Sequence, residues 1–270
     1  MWDQVQETVN YIKSKIDINP EYGVILGSGL GGFSDDIDIE YTLPYRKIPN
    51  FPVSTVAGHK GALVFGTVNG KRVVAMQGRF HYYEGYSMQE VTFPVRVFKH
   101  LGVQKLIVSN ASGGVNPSYQ VGDVVIITDQ INMMPEHPLR GANDERFGPR
   151  FVNMSEPYSA KMIALAKQIA TERGLEPKTG VYLGLQGPTF ETLAEYRMVT
   201  ALGGDCVGMS TVPEIIVARH MGMETFGVSV ITDLGHEDFI AEITHEEVLQ
   251  AAKKAEPHVR AMIAELIGRY

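Results

Sequence analysis

The chain has 270 residues, 44% of them hydrophobic, and a formal net charge of -7 at pH 7, which excludes a disordered or collagen-like chain. The acidic balance excludes a general attraction to nucleic acid or anionic membranes, so any bound anion must be held by a few local donors. The single cysteine, Cys206, excludes an internal disulfide, and with no evident signal peptide or membrane-spanning run we expect a cytoplasmic protein.

Hydrophobic periodicity in the first half predicts helices at 2–16 and 88–101 and buried strands at 23–26, 62–68, 72–77, 106–108 and 124–127. Asn69-Gly70 joins two of these strands and predicts a β-hairpin. Pro94 is expected to kink or shorten its helix. Residues 134–157 are rich in Pro, Gly, Asn and charge, and such a long loop is typical of a functional or interface segment.

Helix and strand alternate in the second half. Helices are predicted at 159–173, 192–202, 212–222 and from Thr244 onward, and strands at 179–184, 205–208 and 225–232. Capping boxes mark three helix starts: Thr192 with Glu195, Thr211 with Glu214, and Thr244 with Glu247. This alternation indicates an α/β fold with a mostly parallel sheet, and the early hairpin adds antiparallel pairing. Without a repeat or linker, residues 1–270 are predicted to form one domain.

A glycine cluster, Gly27-Ser28-Gly29-Leu30-Gly31-Gly32, directly follows the first predicted strand. Glycines let backbone amides approach an anion closely, so a phosphate loop and a plain tight turn are both open interpretations. The glycine spacing also fits a dinucleotide-binding fingerprint, but that motif requires a helix that begins directly at the glycine loop. Residues 33–54 contain three prolines and no helical period, so we reject a nicotinamide or flavin site.

A second polar segment, 77–86, follows another strand and carries Arg79, His81 and Tyr83. Arginine binds phosphate with a planar fork of donors, histidine could add a second donor, and tyrosine could line a sugar pocket. An aromatic surface loop is the alternative. Because α/β ligands usually lie at strand ends, we favour a binding function.

Further polar groups follow the later strands. Ser112 nearly fits a nucleophile elbow, but Asn110 stands where that motif needs glycine, so a serine hydrolase is disfavoured. Phe190 could stack on a flat ring and Glu191 could accept hydrogen bonds from it. An anion beside Ser210 would meet the free amides of a helix start. The chain has no His-Glu-x-x-His or Cys/His cluster, so no metal is predicted.

Together these segments resemble the purine nucleoside phosphorylases, specifically the smaller, homotrimeric type, from Gly23 to about Val248. The resemblance implies an α/β phosphorylase fold with a mixed central sheet, partly barrel-like and flanked by helices. It implies phosphorolysis of purine nucleosides to a free purine and ribose 1-phosphate. Phosphate would be a co-substrate, without a metal or organic cofactor.

Carried onto this sequence, the resemblance implies phosphate ligands at Ser28, His59, Arg79, His81, Ala111 and Ser210. It implies ribose contacts at Tyr83, Met209 and His245, with Phe147 lent by a neighbouring subunit. The base pocket would comprise Asn110, Ala111, Gly113, Phe190, Glu191, Val207, Thr232 and Asp233. Glu191, Asp233 and His81 would act in catalysis.

Two residues depart from the resembled pattern. The family commonly has Asn at the position of Asp233, and this difference leaves the base preference open. It commonly has Ala at the position of Ser112, so the serine is predicted to add a polar group near the base. Three alternatives remain. A nucleoside hydrolase or a purine-binding protein needs no phosphate cluster, and a methylthioadenosine phosphorylase favours an apolar 5′ pocket, against which His245 speaks.

Overall fold

The computed structural model describes residues 1–53, 55, 60–235 and 244–270. Within them, the strands are β1 (Tyr22–Ile25), β2 (Asp38–Pro44), β3 (Ala62–Val68), β4 (Lys71–Gln77), β5 (Lys105–Gly114), β6 (Val124–Asn132), β7 (Lys178–Gly184), β8 (Cys206–Gly208) and β9 (Glu224–Leu234). The α-helices are α1 (Trp2–Lys13), α2 (Met88–Val91), α3 (Phe93–Leu101), α4 (Ala160–Glu172), α5 (Leu193–Ala201), α6 (Val212–His220) and α7 (His245–Arg269).

The strands form one mixed sheet in the order β2-β3-β4-β1-β5-β8-β7-β6-β9, and an additional β5–β9 pairing closes its last five strands into a ring. The β2–β3, β3–β4, β5–β8 and β6–β9 pairs are antiparallel, while the other pairs are parallel. The predicted α/β fold with a mixed, partly barrel-like sheet flanked by helices is therefore confirmed.

Buried side chains alternate between the two faces of the sheet. In β5, Leu106 and Val108 belong to the apolar cluster that includes α1, α3 and α6, while Ile107 belongs to the cluster that includes α4 and α7. Successive strand residues point to opposite faces, so a continuous apolar run needs a helical layer on each side. The helical layers on both faces hold the strands in place, and with them the polar residues at the strand ends.

The hairpin prediction is confirmed, with Asn69 and Gly70 both at positive φ between β3 and β4. The helix predicted at 88–101 is divided at Thr92, two residues before Pro94, into α2 and α3. The edge strand β2 was not predicted, because Leu43 is its one fully buried residue and the pattern has no apolar run. No helix in the described ranges is long and apolar enough to cross a bilayer.

Candidate active site

The carboxyl ends of four strands meet at one edge of the sheet. β1 pairs in parallel with β4 and β5, and β5 pairs in parallel with β9, so all four run in one direction. Ligands of α/β proteins bind outside such ends. A cavity of about 100 Å³ lies there, lined by Ser28, Arg79, His81, Tyr83, Asn110, Ala111, Ser112, Gly113, Phe190, Glu191, Val207, Gly208, Met209, Ser210, Thr232, Asp233, His245 and Val248.

Arg79 lies just beyond the end of β4, and only 1% of its surface is exposed. Its Nε donates to Glu214 Oε1 at 3.1 Å, and its Nη1 donates to the Ser109 carbonyl at 2.8 Å and to Ser210 Oγ at 3.0 Å. Nη2 has no hydrogen-bond partner among the described residues. The rest of the fork is held by the protein, so Nη2 is the donor left for an anion in the cavity.

Glu214, in the first turn of α6, is the buried counter-ion of Arg79. The capping box predicted for Thr211 and Glu214 is wrong, because Thr211 makes no side-chain cap bond and has a φ of 73°. A helix cap contributes about 1 kcal/mol, whereas a buried charge without its partner costs about 3–5 kcal/mol. The Glu214 carboxylate therefore serves Arg79 rather than the helix.

Two of the backbone amides at the start of α6, those of Ser210 and Val212, are used within the protein. The Ser210 N–H donates to Tyr182 Oη at 3.3 Å, and the Val212 N–H donates to the Ser210 carbonyl at 2.8 Å. Pro213, in the first turn, has no N–H to give. An anion at this end of the cavity would be met by the Ser210 hydroxyl and the Arg79 guanidinium.

His81 is buried in the segment after β4 and stacks on Tyr83, with ring centroids 4.7 Å apart. Its Nδ1 lies 3.1 Å from Glu84 Oε1. Burial alone would raise the pKa of Glu84, but hydrogen bonds from His81 and Thr55 bring it to about 2. Since an ionised carboxylate only accepts, Nδ1 carries the ring proton and Nε2 is the acceptor nitrogen of the neutral ring. Burial lowers the pKa of His81, so the neutral ring is favoured.

The glycine cluster after β1 forms a tight turn that presents Ser28 to the cavity. Gly29 has a φ of 74°, and a Cβ there would lie 2.7 Å from Ala252 of α7. A Cβ on Gly27 would lie 2.7 Å from the Asn110 backbone. A 3-10 helix, Gly31–Asp36, and then the antiparallel β2 follow, in place of the helix that a dinucleotide site needs. Close packing on β5 and α7 explains Gly27 and Gly29, which lie on either side of Ser28.

Two carboxylates, Glu191 and Asp233, line the same cavity. Burial, together with the charges of Asp233 and Glu195, raises the pKa of Glu191 to about 7 against its own backbone hydrogen bond. Burial also raises the pKa of Asp233, while hydrogen bonds from Thr232 and Tyr196 oppose the rise. Both acids therefore bind a proton more readily than an exposed carboxyl group does, and Glu191 changes its charge near neutral pH.

The Asp233 side chain reaches the cavity through an irregularity in the sheet. The β5–β9 register shifts between Ser112 and Gly113, so Ser112 pairs with Ile231 and Gly113 with Asp233. Such a bulge re-aims side chains, and both Thr232 and Asp233 line the cavity. A Cβ on Gly113 would lie 2.8 Å from Asp233 Oδ2, so this glycine makes room for the carboxylate.

A chain of hydrogen bonds between buried hydroxyl and amide groups connects Ser112 to Arg79. Ser229 Oγ donates to Asn110 Oδ1 at 2.6 Å, and Asn110 Nδ2 donates to Thr211 Oγ1 at 2.8 Å. Thr211 Oγ1 lies 3.1 Å from Ser210 Oγ, which accepts from Arg79. Since the Ser229 proton goes to Asn110, the Ser112 hydroxyl 2.5 Å away donates to Ser229. The polar group that Ser112 adds is thus used by the protein itself.

Comparison with known proteins decides the family. Residues 21–268 match the model of the Phosphorylase superfamily. The chain is 52% identical to purine nucleoside phosphorylase 1 of Geobacillus stearothermophilus over 250 residues, covering 93% of this chain and 91% of the relative. The chain belongs to the purine nucleoside phosphorylase family. It is thus an enzyme, and it phosphorolyses purine nucleosides.

Solved structures of the family have the same fold. Schistosoma mansoni purine nucleoside phosphorylase in complex with adenosine is 42% identical, with a TM-score of 0.94 over 99% of this chain and 97% of that one. A Schistosoma purine nucleoside phosphorylase in complex with hypoxanthine is also 42% identical, with a TM-score of 0.93 over the same shares. These two structures extend the family match from sequence to the whole architecture.

The structure brings together the site residues that the family resemblance implied, with two exceptions. His59 lies outside the described residues. Phe147 does not line the cavity, because its ring is 6% exposed and packs on Trp2, with centroids 5.2 Å apart, and under the Arg96 guanidinium at 4.5 Å. This burial argues against Phe147 being lent to a neighbour. Phe151, four residues further along the same loop, is 89% exposed.

Sequence reasoning missed the residues that support the site from behind: Glu84, Tyr196, Thr211, Glu214 and Ser229. Their partners are close in space but mostly distant along the chain, as with Glu214 and Arg79, which are 135 residues apart. Within the described residues, no group of three or more His, Cys, Asp or Glu side chains is placed to hold a metal ion.

Proposed function

We propose that this family member cleaves the 6-oxopurine nucleosides inosine and guanosine preferentially, and adenosine measurably. One observation carries the proposal: a single cavity is lined by a guanidinium with one nitrogen that has no hydrogen-bond partner among the described residues, and by two carboxylates whose pKa values are raised. The first fits a phosphate anion, and the second fits the polar edge of a purine.

The phosphate would be held by Arg79, with Ser28, His81, Ala111, Ser210 and His59 as its other ligands. The neutral His81 ring can accept a hydrogen bond from a protonated phosphate oxygen through Nε2. The site would need no metal or organic cofactor, because phosphate is already an anion and requires only orientation. Much of the rate enhancement would come from holding it beside C1′ of the sugar.

The nucleoside would lie with ribose against Tyr83, Met209 and His245 and with its base beside Phe190. The base pocket would be completed by Asn110, Ala111, Gly113, Val207, Thr232 and the two carboxylates. As the C1′–N9 bond breaks, negative charge moves onto the purine and the sugar becomes cationic. Hydrogen bonds from the pocket to the departing purine would then strengthen, which lowers the barrier.

Glu191 favours 6-oxopurines. Ionised, it can accept from the N1–H of hypoxanthine and from the N1–H and 2-amino group of guanine. Adenine has no proton at N1, so Glu191 must itself be protonated to bond there, which a pKa of about 7 permits for part of the molecules at neutral pH. Adenosine should therefore be cleaved, but less efficiently.

The test is a substrate panel of inosine, guanosine and adenosine, each with and without inorganic phosphate. We expect cleavage that requires phosphate and yields ribose 1-phosphate, with inosine and guanosine ahead of adenosine. Cleavage without phosphate would indicate a nucleoside hydrolase, and binding without turnover would indicate a purine-binding protein. Either result would overturn the proposal.

Asp233→Asn is expected to lower kcat/KM for adenosine relative to inosine by about fivefold. An ionised carboxylate accepts more strongly than a neutral amide from the 6-amino group, and hydrogen bonds to charged groups are worth about 1 kcal/mol more. An amide can also donate to O6, which favours inosine. The ratio of the two kcat/KM values at fixed phosphate is the measurement. If both activities change by the same factor, Asp233 does not contact position 6.

We further propose a homotrimer in which an aromatic residue of the 134–157 loop completes a neighbouring subunit's sugar pocket. Phe151, rather than Phe147, fits this role, because its ring is 89% exposed and can enter a neighbour's pocket, whereas the Phe147 ring is buried in its own chain. Phe190, which lines the same cavity, is also 38% exposed in the single chain, so the cavity is accessible from outside.

A matched pair of variants tests the two phenylalanines. Phe151→Ala should raise KM for the nucleoside about tenfold and lower the melting temperature far less than Phe147→Ala does, because an exposed ring contributes little to the fold of one chain. Phe147→Ala should instead destabilise the chain by about 3–5 kcal/mol, because it empties a buried aromatic cluster. Sedimentation should show a trimer for the wild type. A fully active monomer, or an unchanged KM in Phe151→Ala, would contradict the assignment.

A further inference from the structure

Tyr196 lies in the first turns of α5 and is 4% exposed, outside the ring of residues that line the cavity. Its ring packs against Gly235, where a Cβ would lie 2.3 Å from the ring carbons. Its hydroxyl donates to Asp233 Oδ2 at 3.3 Å. The side chain is thus fixed by packing, with its one polar atom directed at the carboxylate in the base pocket.

The second Asp233 oxygen also has a hydroxyl donor. Thr232 Oγ1 lies 2.9 Å from Asp233 Oδ1 and 3.3 Å from the Ser112 carbonyl, which is its alternative acceptor. The Tyr196 hydroxyl has no second acceptor among the described hydrogen bonds, so its proton is committed to Asp233. Donors on both oxygens stabilise the ionised form of a carboxylate over its neutral form.

We infer that Tyr196 is a specificity-determining positioning residue, which holds Asp233 as an ionised acceptor for the 6-amino group and so extends the substrates to 6-aminopurine nucleosides. This inference rests on the proposed function of the cavity. Tyr196 acts through Asp233 and not on the substrate, since its hydroxyl lies behind the carboxylate.

The position of one proton on the two carboxylates then selects the base. With the proton on Glu191, that residue donates to N1 of adenine while Asp233 accepts from the 6-amino group. With the proton on Asp233, Glu191 accepts from N1–H of a 6-oxopurine and Asp233 donates to O6. The Tyr196 hydrogen bond stabilises the first arrangement. No group other than the proton is transferred between the two arrangements.

The remaining charged and titratable groups around the pair act on Glu191 more than on Asp233. Glu195, one residue before Tyr196 on α5, adds negative charge that raises the pKa of Glu191 and so favours its protonated form. Tyr196 stays neutral, because burial and the two carboxylates raise its pKa. His245, at the start of α7, lines the same cavity. The surroundings therefore favour protonation of Glu191 over Asp233.

The variant Tyr196→Phe removes the hydroxyl and keeps the ring. We expect the ratio of kcat/KM for adenosine to that for inosine to fall by about fivefold, with the larger change in adenosine. The acid limb of the adenosine pH profile should move to higher pH, because Asp233 takes up a proton more readily without its donor. Tyr158→Phe is the matched control: it loses a buried hydroxyl bonded to Gln130 at 2.9 Å, and its ratio should not change.

The double variant Tyr196→Phe/Asp233→Asn should have the same ratio of kcat/KM for adenosine to that for inosine as Asp233→Asn alone. Tyr196 then has no carboxylate to hold. An unchanged ratio in Tyr196→Phe, an equal loss of both activities, or a wild type without adenosine cleavage would overturn the inference. If the wild type fails to cleave inosine with phosphate, the proposed function itself is wrong. The two failures are therefore distinguishable in one set of assays.

Discussion

Replacement of Arg79 by alanine is expected to reduce kcat/KM for phosphate by roughly 30- to 1000-fold, the effect of losing about 2–4 kcal/mol of transition-state stabilisation. The chain is acidic overall, and the guanidinium is the one buried cation that lines the cavity among the described residues. Nucleoside affinity should change far less, because the base and sugar contacts come from other side chains. Initial rates over a phosphate titration give the effect.

The single variant also leaves Glu214 as a buried charge without its counter-ion, at a cost of about 3–5 kcal/mol to stability. Arg79→Ala combined with Glu214→Gln removes both charges and separates binding from folding. The double variant should regain much of the lost melting temperature while phosphate use stays weak. Arg173→Ala, at an exposed ion pair with Glu265, is the control for loss of an arginine. Wild-type phosphate dependence in both Arg79 variants would refute the assignment.

Glu191→Gln is expected to lower kcat/KM for inosine by roughly 100- to 1000-fold, comparable with removal of one preorganised partner of a developing charge. In the wild type, inosine needs the ionised carboxylate, and the pKa of Glu191 is about 7. The inosine rate should therefore rise with pH through about 7 as Glu191 ionises. Glutamine does not titrate, so this limb should disappear in the variant. A pH profile that keeps its inflection would place the titration elsewhere.

The same carboxylate affects stability with a defined sign. Its pKa is raised in the folded chain, so the folded state binds the proton more tightly than the unfolded state. The stabilisation is complete below the unfolded pKa of about 4.3 and is lost as pH rises through about 7. The melting temperature of Glu191→Gln, relative to that of the wild type, should therefore be higher at pH 8 than at pH 5. If the variant and the wild type differ in melting temperature by the same amount at both pH values, the pKa of Glu191 is not raised by folding.

Much of the site could be predicted from short polar segments that follow apolar runs. Ser28, Arg79 and Asp233 each come at the end of a strand, and parallel strands bring their carboxyl ends to one edge of a sheet. The direction of the chain thus fixes where these side chains gather. The strand predicted at 106–108 extends to Gly114 as β5, because β9 pairs with residues 109–114 as well.

The amino-acid sequence by itself determined the α/β alternation, the hairpin at Asn69-Gly70 and two of three capping boxes, because each depends on residues within one or two turns of chain. Only the tertiary structure decided the partners of Glu214 and Asp233 and the burial of Phe147. A buried charge is costly until it is paired, and its partner is chosen by three-dimensional proximity. The predicted capping box would contribute only about 1 kcal/mol, so Glu214 pairs with the distant Arg79 instead.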